Sequence, residues 1–280
     1  MTGEHEAKMM LNNKVALVTG TSPNIGGGIA EALAAAGAAL VAVDALADNA
    51  ADCARYVESI GGRAIGITAD VTDEAQVEAA VEQAVAAFGS IDILVNGAAF
   101  FNRKGVLDMS LAEWDRQTKV ILGGTFLFTK YVARRMIARG TGGAVINIAS
   151  TAGHQGEPGN IAYSTSKGGL LNFTRSAAME LVGHGIRVNS LTPTATDRSE
   201  SYDRAERWGR TVTRPAANAG GPMDRFRSRV PMQRLPLPSD YGRAAVFLAS
   251  DDAAMITGTD LRVDAGAIAR YWAWDPAADV

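Results

Sequence analysis

Cysteine is almost missing from this sequence: Cys53 stands alone among 280 residues, so the chain closes no internal disulfide and builds no cysteine metal cage. A lone cysteine reads as a small core or surface residue. Histidine is as sparse, and His5, His154 and His184 are too scattered to suggest a metal site. Aromatic residues make up only 6%, which leaves the core to aliphatic packing. No apolar run approaches the ~20 residues that span a bilayer, and residues 1–12 are polar, with acids, unlike a secretory leader. Neither sign of charge dominates: 27 Lys and Arg against 30 Asp and Glu leave a formal net charge of -3. That balance offers no electrostatic footing to nucleic acid or an anionic membrane. These absences predict a soluble cytoplasmic protein.

What is abundant is aliphatic residues and glycine. The hydrophobic fraction of 47% and the 30 glycines suit one open α/β sheet with close helix–sheet contacts. Short apolar runs at residues 14–20 (KVALVTG), 39–43, 64–68, 91–95, 144–149, 187–191 and 260–263 read as buried strands. Between them, residues 29–36, 50–60, 73–88, 111–139, 161–182 and 240–249 carry helical periodicity, with a bend expected near Gly123-Gly124. Strands alternating with helices require right-handed crossovers and a mainly parallel sheet with helices on both faces, a doubly wound α/β fold. There is no internal repeat and no interdomain linker. The expectation is a flexible segment at residues 1–11 followed by a single domain at 12–280. The irregular stretch at about 194–238 would overhang the carboxyl ends of the strands, where ligands bind in such sheets, and reads as a substrate lid.

Two constellations carry chemistry. The first strand runs through Thr19-Gly20-Thr21-Ser22-Pro23-Asn24-Ile25-Gly26 into a helix. A tight turn at a helix N-terminus presents free N–H groups and a positive dipole end, which suits a pyrophosphate. Further on, Tyr163 and Lys167 sit four residues apart on a predicted helix, hence on one face, and Ser150 precedes Tyr163 by 13 residues at a strand end.

Together these residues resemble the short-chain dehydrogenase/reductase family, a group of Rossmann-fold NAD(P)-dependent oxidoreductases, over about residues 12–268. The family pattern TGxxxGxG holds except that Asn24 replaces the middle glycine. Because Asn tolerates positive φ best among non-glycine residues, Asn24 is expected in the left-handed region. The resemblance assigns cofactor binding to Gly20, Ser22, Asn24, Ile25 and Gly26, and to Asp70-Val71 beside adenine. It adds Asn96-Gly97-Ala98, which with Ala99 stands where the family has NNAG, and Tyr163, Lys167, Pro193, Thr194 and Thr196. Asp44 ends the second strand 18 residues beyond Gly26. A carboxylate there accepts ribose hydroxyls and repels a 2′-phosphate, so NAD is preferred over NADP.

The implied catalytic residues are Ser150, Tyr163 and Lys167, with no metal. Tyr163 would be the acid/base, Ser150 would hold the substrate oxygen, and Lys167 would bind ribose and favour tyrosinate together with the positive nicotinamide. The family often holds a relay water with an Asn in the central helix; that position is Ile121 here, which cannot hydrogen-bond water, so the relay is rerouted or slowed. Val263-Asp264-Ala265-Gly266 resembles the family's VDGG ending. The tail Tyr271-Trp272-Ala273-Trp274 packs either on its own core or across an interface of the dimer or tetramer that the family suggests. The expected activity is NAD-dependent interconversion of a small secondary alcohol and ketone. Two alternatives stand beside it: an NAD-binding sensor without turnover, and an NADP-dependent 3-ketoacyl reductase. Eight arginines between Arg198 and Arg229 serve either an anionic or thioester-carrier substrate or a solvated helical lid with local ion pairs. His154 either lines the pocket or is a plain loop residue.

Overall fold

The computed structural model describes residues 10–215, 221–271 and 273. The chain alternates strands and helices: β1 (Val15–Thr19), α1 (Ile25–Ala35), β2 (Ala39–Asp44), α2 (Ala47–Ser59), β3 (Ala64–Thr68), α3 (Glu74–Phe88) and β4 (Ile93–Asn96) form its first half. The second half runs α4 (Leu111–Thr118), α5 (Gly124–Arg139), β5 (Gly143–Ile148), α6 (Ile161–Leu181), β6 (Ile186–Pro193), α7 (Ser199–Arg207), α8 (Pro222–Arg227), α9 (Pro238–Ala249) and β7 (Asp260–Val263). The seven strands make one parallel sheet in the order β3-β2-β1-β4-β5-β6-β7. The order reverses between β1 and β4, which opens a crevice at their carboxyl ends.

Each strand alternates its side chains between two cores. Ala16 and Val18 of β1 pack with Ile29 and Leu33 of α1 and Leu248 of α9, whereas Val15 and Leu17 pack with Val81 of α3 and Phe128 and Val132 of α5. Such side chains each gain roughly 1.5–3 kcal/mol on full burial, and both faces need a helical cover. Cys53 is fully buried in the first core, where burial pushes its thiol pKa upward and Glu31 adds to the shift. It is a packing residue.

The structure departs from the sequence expectation in three places. Helix α1 starts at Ile25, four residues before the expected start at 29, because Gly26, Gly27 and Gly28 are buried helical residues rather than a turn. Leu11, assigned to a flexible N-terminal segment, is fully buried, and its N–H donates to Ala36 O at 2.9 Å; residues 1–9 of that segment lie outside the described residues. The bend expected near Gly123-Gly124 is met by a π-helical turn at Lys119–Gly123, the wider turn that re-aims a helix. The stretch at 194–238 contains two helices, α7 and α8. Of the aromatic tail, Tyr271 is exposed, while Trp272 and Trp274 lie outside the described residues. Among the described residues no helix is long and apolar enough to cross a membrane.

Candidate active site

A cavity of about 1050 Å³ follows the crevice. One end is walled by Gly20, Ser22, Asn24, Ile25, Gly26 and Asp44; Asp70, Val71, Gly97 and Ala98 form its flank. Ser150, Tyr163, Lys167, Pro193 and Thr194 wall the other end. Fifteen of the seventeen site residues predicted from sequence therefore line one space; Asn96 and Thr196 do not.

The turn between β1 and α1 is shaped by sterics. Gly20 takes φ +77°, and a Cβ there would meet Ala98 backbone at 2.8 Å. A Cβ on Gly26 would fall 1.9 Å from Gly20 O. Asn24 is not left-handed: it has φ -90° and ψ -134°. The left-handed step is taken at Gly20, so position 24 needs no glycine for its backbone. Asn24 does not cap α1 with its side chain; its Oδ1 instead accepts from Ser201 Oγ at 3.0 Å. The N-terminus of α1 is thus left without a side-chain cap, facing a glycine cradle, and these features fit a dinucleotide pyrophosphate. At the end of β2, Asp44 Oδ1 accepts from the Leu46 N–H at 2.9 Å, which holds the carboxylate at the cavity wall.

Asn96 is turned into the fold. Its Nδ2 donates to Asn147 Oδ1 at 2.9 Å and Thr129 Oγ1 at 3.1 Å, and Asn147 donates on to Thr174 Oγ1. The side chain ties β4, β5, α5 and α6 together, while its neighbours Gly97 and Ala98 face the cavity. Thr196 Oγ1 lies against Thr194 O and Tyr241 OH at 3.1 Å each, a contact that fixes the loop after β6. His154 does not line the cavity; its Nε2 lies 3.1 Å from Asp260 Oδ2 and 3.2 Å from Thr192 Oγ1. Ile121, at the expected relay position, is fully buried in the π turn.

At the catalytic end, Ser150 closes β5 and accepts from the Ala152 N–H at 3.1 Å, while α6 presents Tyr163 and Lys167 one turn apart. Lys167 Nζ donates to Ile148 O at 2.5 Å and lies 5.6 Å from the Tyr163 ring centroid. Burial pushes the Lys167 ammonium pKa down to about 7. Burial also raises the Tyr163 phenol above its ordinary value, against the opposing pull of a hydrogen bond with Ser150. The expected lowering of Tyr163 by Lys167 does not act on the phenol in the protein alone: burial raises it, the negative charge of Glu157 adds to the rise, and the opposing pull comes from Ser150. Sequence reasoning also passed over Phe101. Its ring stands edge-on to Tyr163 with centroids 4.7 Å apart, and the adjacent Phe100 lines the cavity. The Phe-Phe pair after the NGAA segment was the available signal.

Most of the arginines after β6 are held in ion pairs: Arg204 and Arg207 with Glu31, Arg210 with Asp52, Arg214 with Asp203 and Glu206, and Arg227 with Asp224. Several of these pairs cross to α1 and α2, which extends the expected local pairing.

Residues 20–267 match the family model described as enoyl-(acyl carrier protein) reductase. The D-threitol dehydrogenase of Mycolicibacterium smegmatis is 39% identical over 91% of this chain and 93% of its own length. The cis-4-hydroxycyclohexanecarboxylate dehydrogenase of Sinomonas cyclohexanicum is 38% identical over 90% of this chain and 96% of its own. The crystal structure of a short-chain type dehydrogenase/reductase from Mycobacterium marinum superimposes with a TM-score of 0.81 at 30% identity, covering 94% of this chain and 98% of that one. With the parallel sheet, the glycine cradle and the Ser–Tyr–Lys wall in one cavity, these matches place the chain in the short-chain dehydrogenase/reductase family of NAD(P)-using oxidoreductases.

Proposed function

We propose that this protein interconverts a secondary alcohol and a ketone with NAD, using Tyr163 as acid/base. One observation carries the reading: Ser150, Tyr163 and Lys167 wall the same cavity whose far end is the Gly20–Gly26 cradle and Asp44. The two relatives named above act on an open-chain polyol and on a ring hydroxy acid, and a secondary carbinol is the group those molecules share.

The residues divide the work. Gly20, Ser22, Asn24, Ile25 and Gly26 hold the pyrophosphate, Asp44 takes the adenosine ribose hydroxyls, Asp70 and Val71 flank the adenine, and Lys167 takes the nicotinamide ribose. A nicotinamide dinucleotide bound there supplies the hydride acceptor for oxidation and the donor for reduction. Ser150 donates a hydrogen bond to the substrate oxygen and fixes it beside the Tyr163 hydroxyl. In ketone reduction the Tyr163 phenol gives its proton to that oxygen, a role suited to its raised pKa. In alcohol oxidation the phenolate takes the carbinol proton, and Lys167 favours that form only where its buried ammonium keeps its proton, below about pH 7. Alcohol oxidation therefore rises with pH through the alkaline range while ketone reduction falls.

Fluorescence titration with NADH and NADPH, followed by rate measurements with NAD and a panel of secondary alcohols, tests the reading. The expected result is tighter binding of NADH and reduction of NAD by at least one alcohol. Tighter NADPH binding would overturn the Asp44 assignment and favour ketoacyl reduction. A second reading, dinucleotide binding without turnover, is favoured by Ile121, which offers no polar atom to a relay water. Tight NADH binding with no hydride transfer to or from any member of an alcohol and ketone panel would select it.

A further inference from the structure

Helix α7 reaches back across the chain to the dinucleotide turn. Ser201 Oγ donates to Asn24 Oδ1 at 3.0 Å, and Arg204 Nη1 donates to Pro23 O at 3.1 Å. Arg204 is buried, and its Nε lies 2.9 Å from Glu31 Oε2 on α1. The same carboxylate accepts from Arg207 Nη2 at 3.2 Å and from the indole N–H of Trp208, just past α7, at 3.1 Å. Gly27 makes room for this docking: a Cβ there would come within 3.0 Å of both the Arg204 stem and the Trp208 ring. Glu31 is thus the hub of a partly buried polar cluster, and Asn24, where the family has glycine, contributes a side chain that glycine could not.

The two ends of α7 are attached differently. Trp208 is buried in the first core, so that end is anchored by apolar packing. Near its start, the contacts that reach the body are polar: Ser201 to Asn24, and Glu200 accepting from the N–H and hydroxyl of Ser239 at 2.9 and 2.7 Å. Hydrogen bonds of this kind each contribute only about 1 kcal/mol net, so the start of α7 releases at lower free energy than the sheet and its core helices. The Asn24–Ser201 bond also joins two walls of one cavity, since Asn24 lines one wall and the chain that leaves Thr194 on the opposite wall leads directly into α7.

We propose that Asn24, Ser201, Arg204 and Glu31 form a latch that holds α7 on the dinucleotide turn and sets the rate at which the cofactor leaves. These are positioning residues: they act through the turn and the helix, not on the reacting atoms. The inference rests on the reading of the cavity as a dinucleotide site.

The test is stopped-flow displacement of bound NADH by excess NAD in Ser201→Ala and Glu31→Gln, beside the unaltered protein. Loss of one or two latch bonds is expected to raise the dissociation rate about 2- to 10-fold, with the association rate changed by less than about 2-fold. Trp208 emission, assigned with Trp208→Phe, should shift in the cofactor-free Glu31→Gln protein, because its N–H loses a charged partner. If Glu31→Gln fails to fold, Ser201→Ala, which removes a single hydroxyl, carries the measurement alone. An unchanged dissociation rate in folded Ser201→Ala overturns the latch. Failure of the unaltered protein to bind either NADH or NADPH would instead overturn the dinucleotide reading beneath it.

Discussion

The two ends of the cavity are built by different means. At the dinucleotide end the shape is backbone. A Cβ on Gly20 or Gly26 would fall 2.8 or 1.9 Å from backbone atoms, so no other residue fits at either position, and the groups proposed to bind are main-chain N–H groups at a helix start. At the catalytic end the shape follows from helical spacing, and the chemistry sits in side chains held away from water. Lys167 is buried until its pKa falls to about 7, and burial raises that of Tyr163. The first end is governed by volume and the second by charge. Changes at the first should alter binding with little dependence on pH, whereas changes at the second should alter turnover and the response to pH.

The largest effect that would break this division is at Tyr163. Tyr163→Phe keeps the ring and its contact with Phe101 but removes the proton. Its kcat is expected to fall roughly 10²- to 10⁴-fold, while the NADH dissociation constant stays within about 2-fold. A variant with near-normal kcat would remove Tyr163 from the acid/base role.

Lys167→Met comes next, because it touches turnover and stability in opposite senses. Turnover should fall by about 100-fold, since the side chain proposed to hold the nicotinamide ribose beside Tyr163 is gone and the reacting groups lose their alignment. Stability of the cofactor-free protein should rise at neutral pH. The sign follows from linkage: the unfolded lysine titrates near 10.5 and the folded one near 7, so between those values the unfolded chain binds the extra proton. The penalty from Lys167 is full below about pH 7 and fades as pH rises toward 10.5. Its ceiling is about 5 kcal/mol for a shift of this size, less the lost bond to Ile148 O. Thermal melts of both proteins at pH 7 and pH 10 should show the variant ahead at pH 7 and the gap narrowing at pH 10. A variant less stable at pH 7 would mean that the lysine is not held against desolvation.

How far each end could be read from sequence follows the same division. The glycine turn was legible because sterics leave few residues for such a bend, and Tyr163 and Lys167 because four residues make one helical turn. Asp44 was legible from its distance past the turn. The conformation of Asn24 was not. Its left-handed placement was inferred from residue type, but the backbone took that step at Gly20, and the partner that explains Asn24, Ser201, lies 177 residues away. Asn96 carried a motif position, yet its side chain serves Asn147 and Thr129, a choice decided by tertiary packing. The charge states of Tyr163 and Lys167 were also out of reach, because spacing reports which groups meet and says nothing of how much water they lose.

Gly26→Ala tests the volume-governed end. The added methyl has nowhere to go against Gly20 O, so α1 must shift, and overpacking of this kind costs roughly 1–3 kcal/mol. The NADH dissociation constant should rise about 10-fold or more, with the same pH profile of turnover at saturating cofactor. A changed profile would show that the two ends are coupled through charge after all.

The smallest expected effect is the sharpest on substrate. Phe101 is 53% exposed, with its ring edge-on to Tyr163 and the Arg103 guanidinium 5.9 Å from its centroid. The fold gains little from an aromatic ring in that position, whereas a flat or ring-shaped substrate beside Tyr163 would cover it. Aromatic contacts of this kind are worth about 0.5–1.5 kcal/mol beyond area burial, which is roughly 2- to 10-fold. Phe101→Ala should therefore raise KM for cyclohexanol by about that factor, change KM for an open-chain polyol by less than about 2-fold, and leave NADH binding unaltered. Equal losses in kcat for both alcohols, with KM unmoved, would mean that the ring only steadies Tyr163, and the substrate wall would have to be sought at Phe100 and the loop before α4.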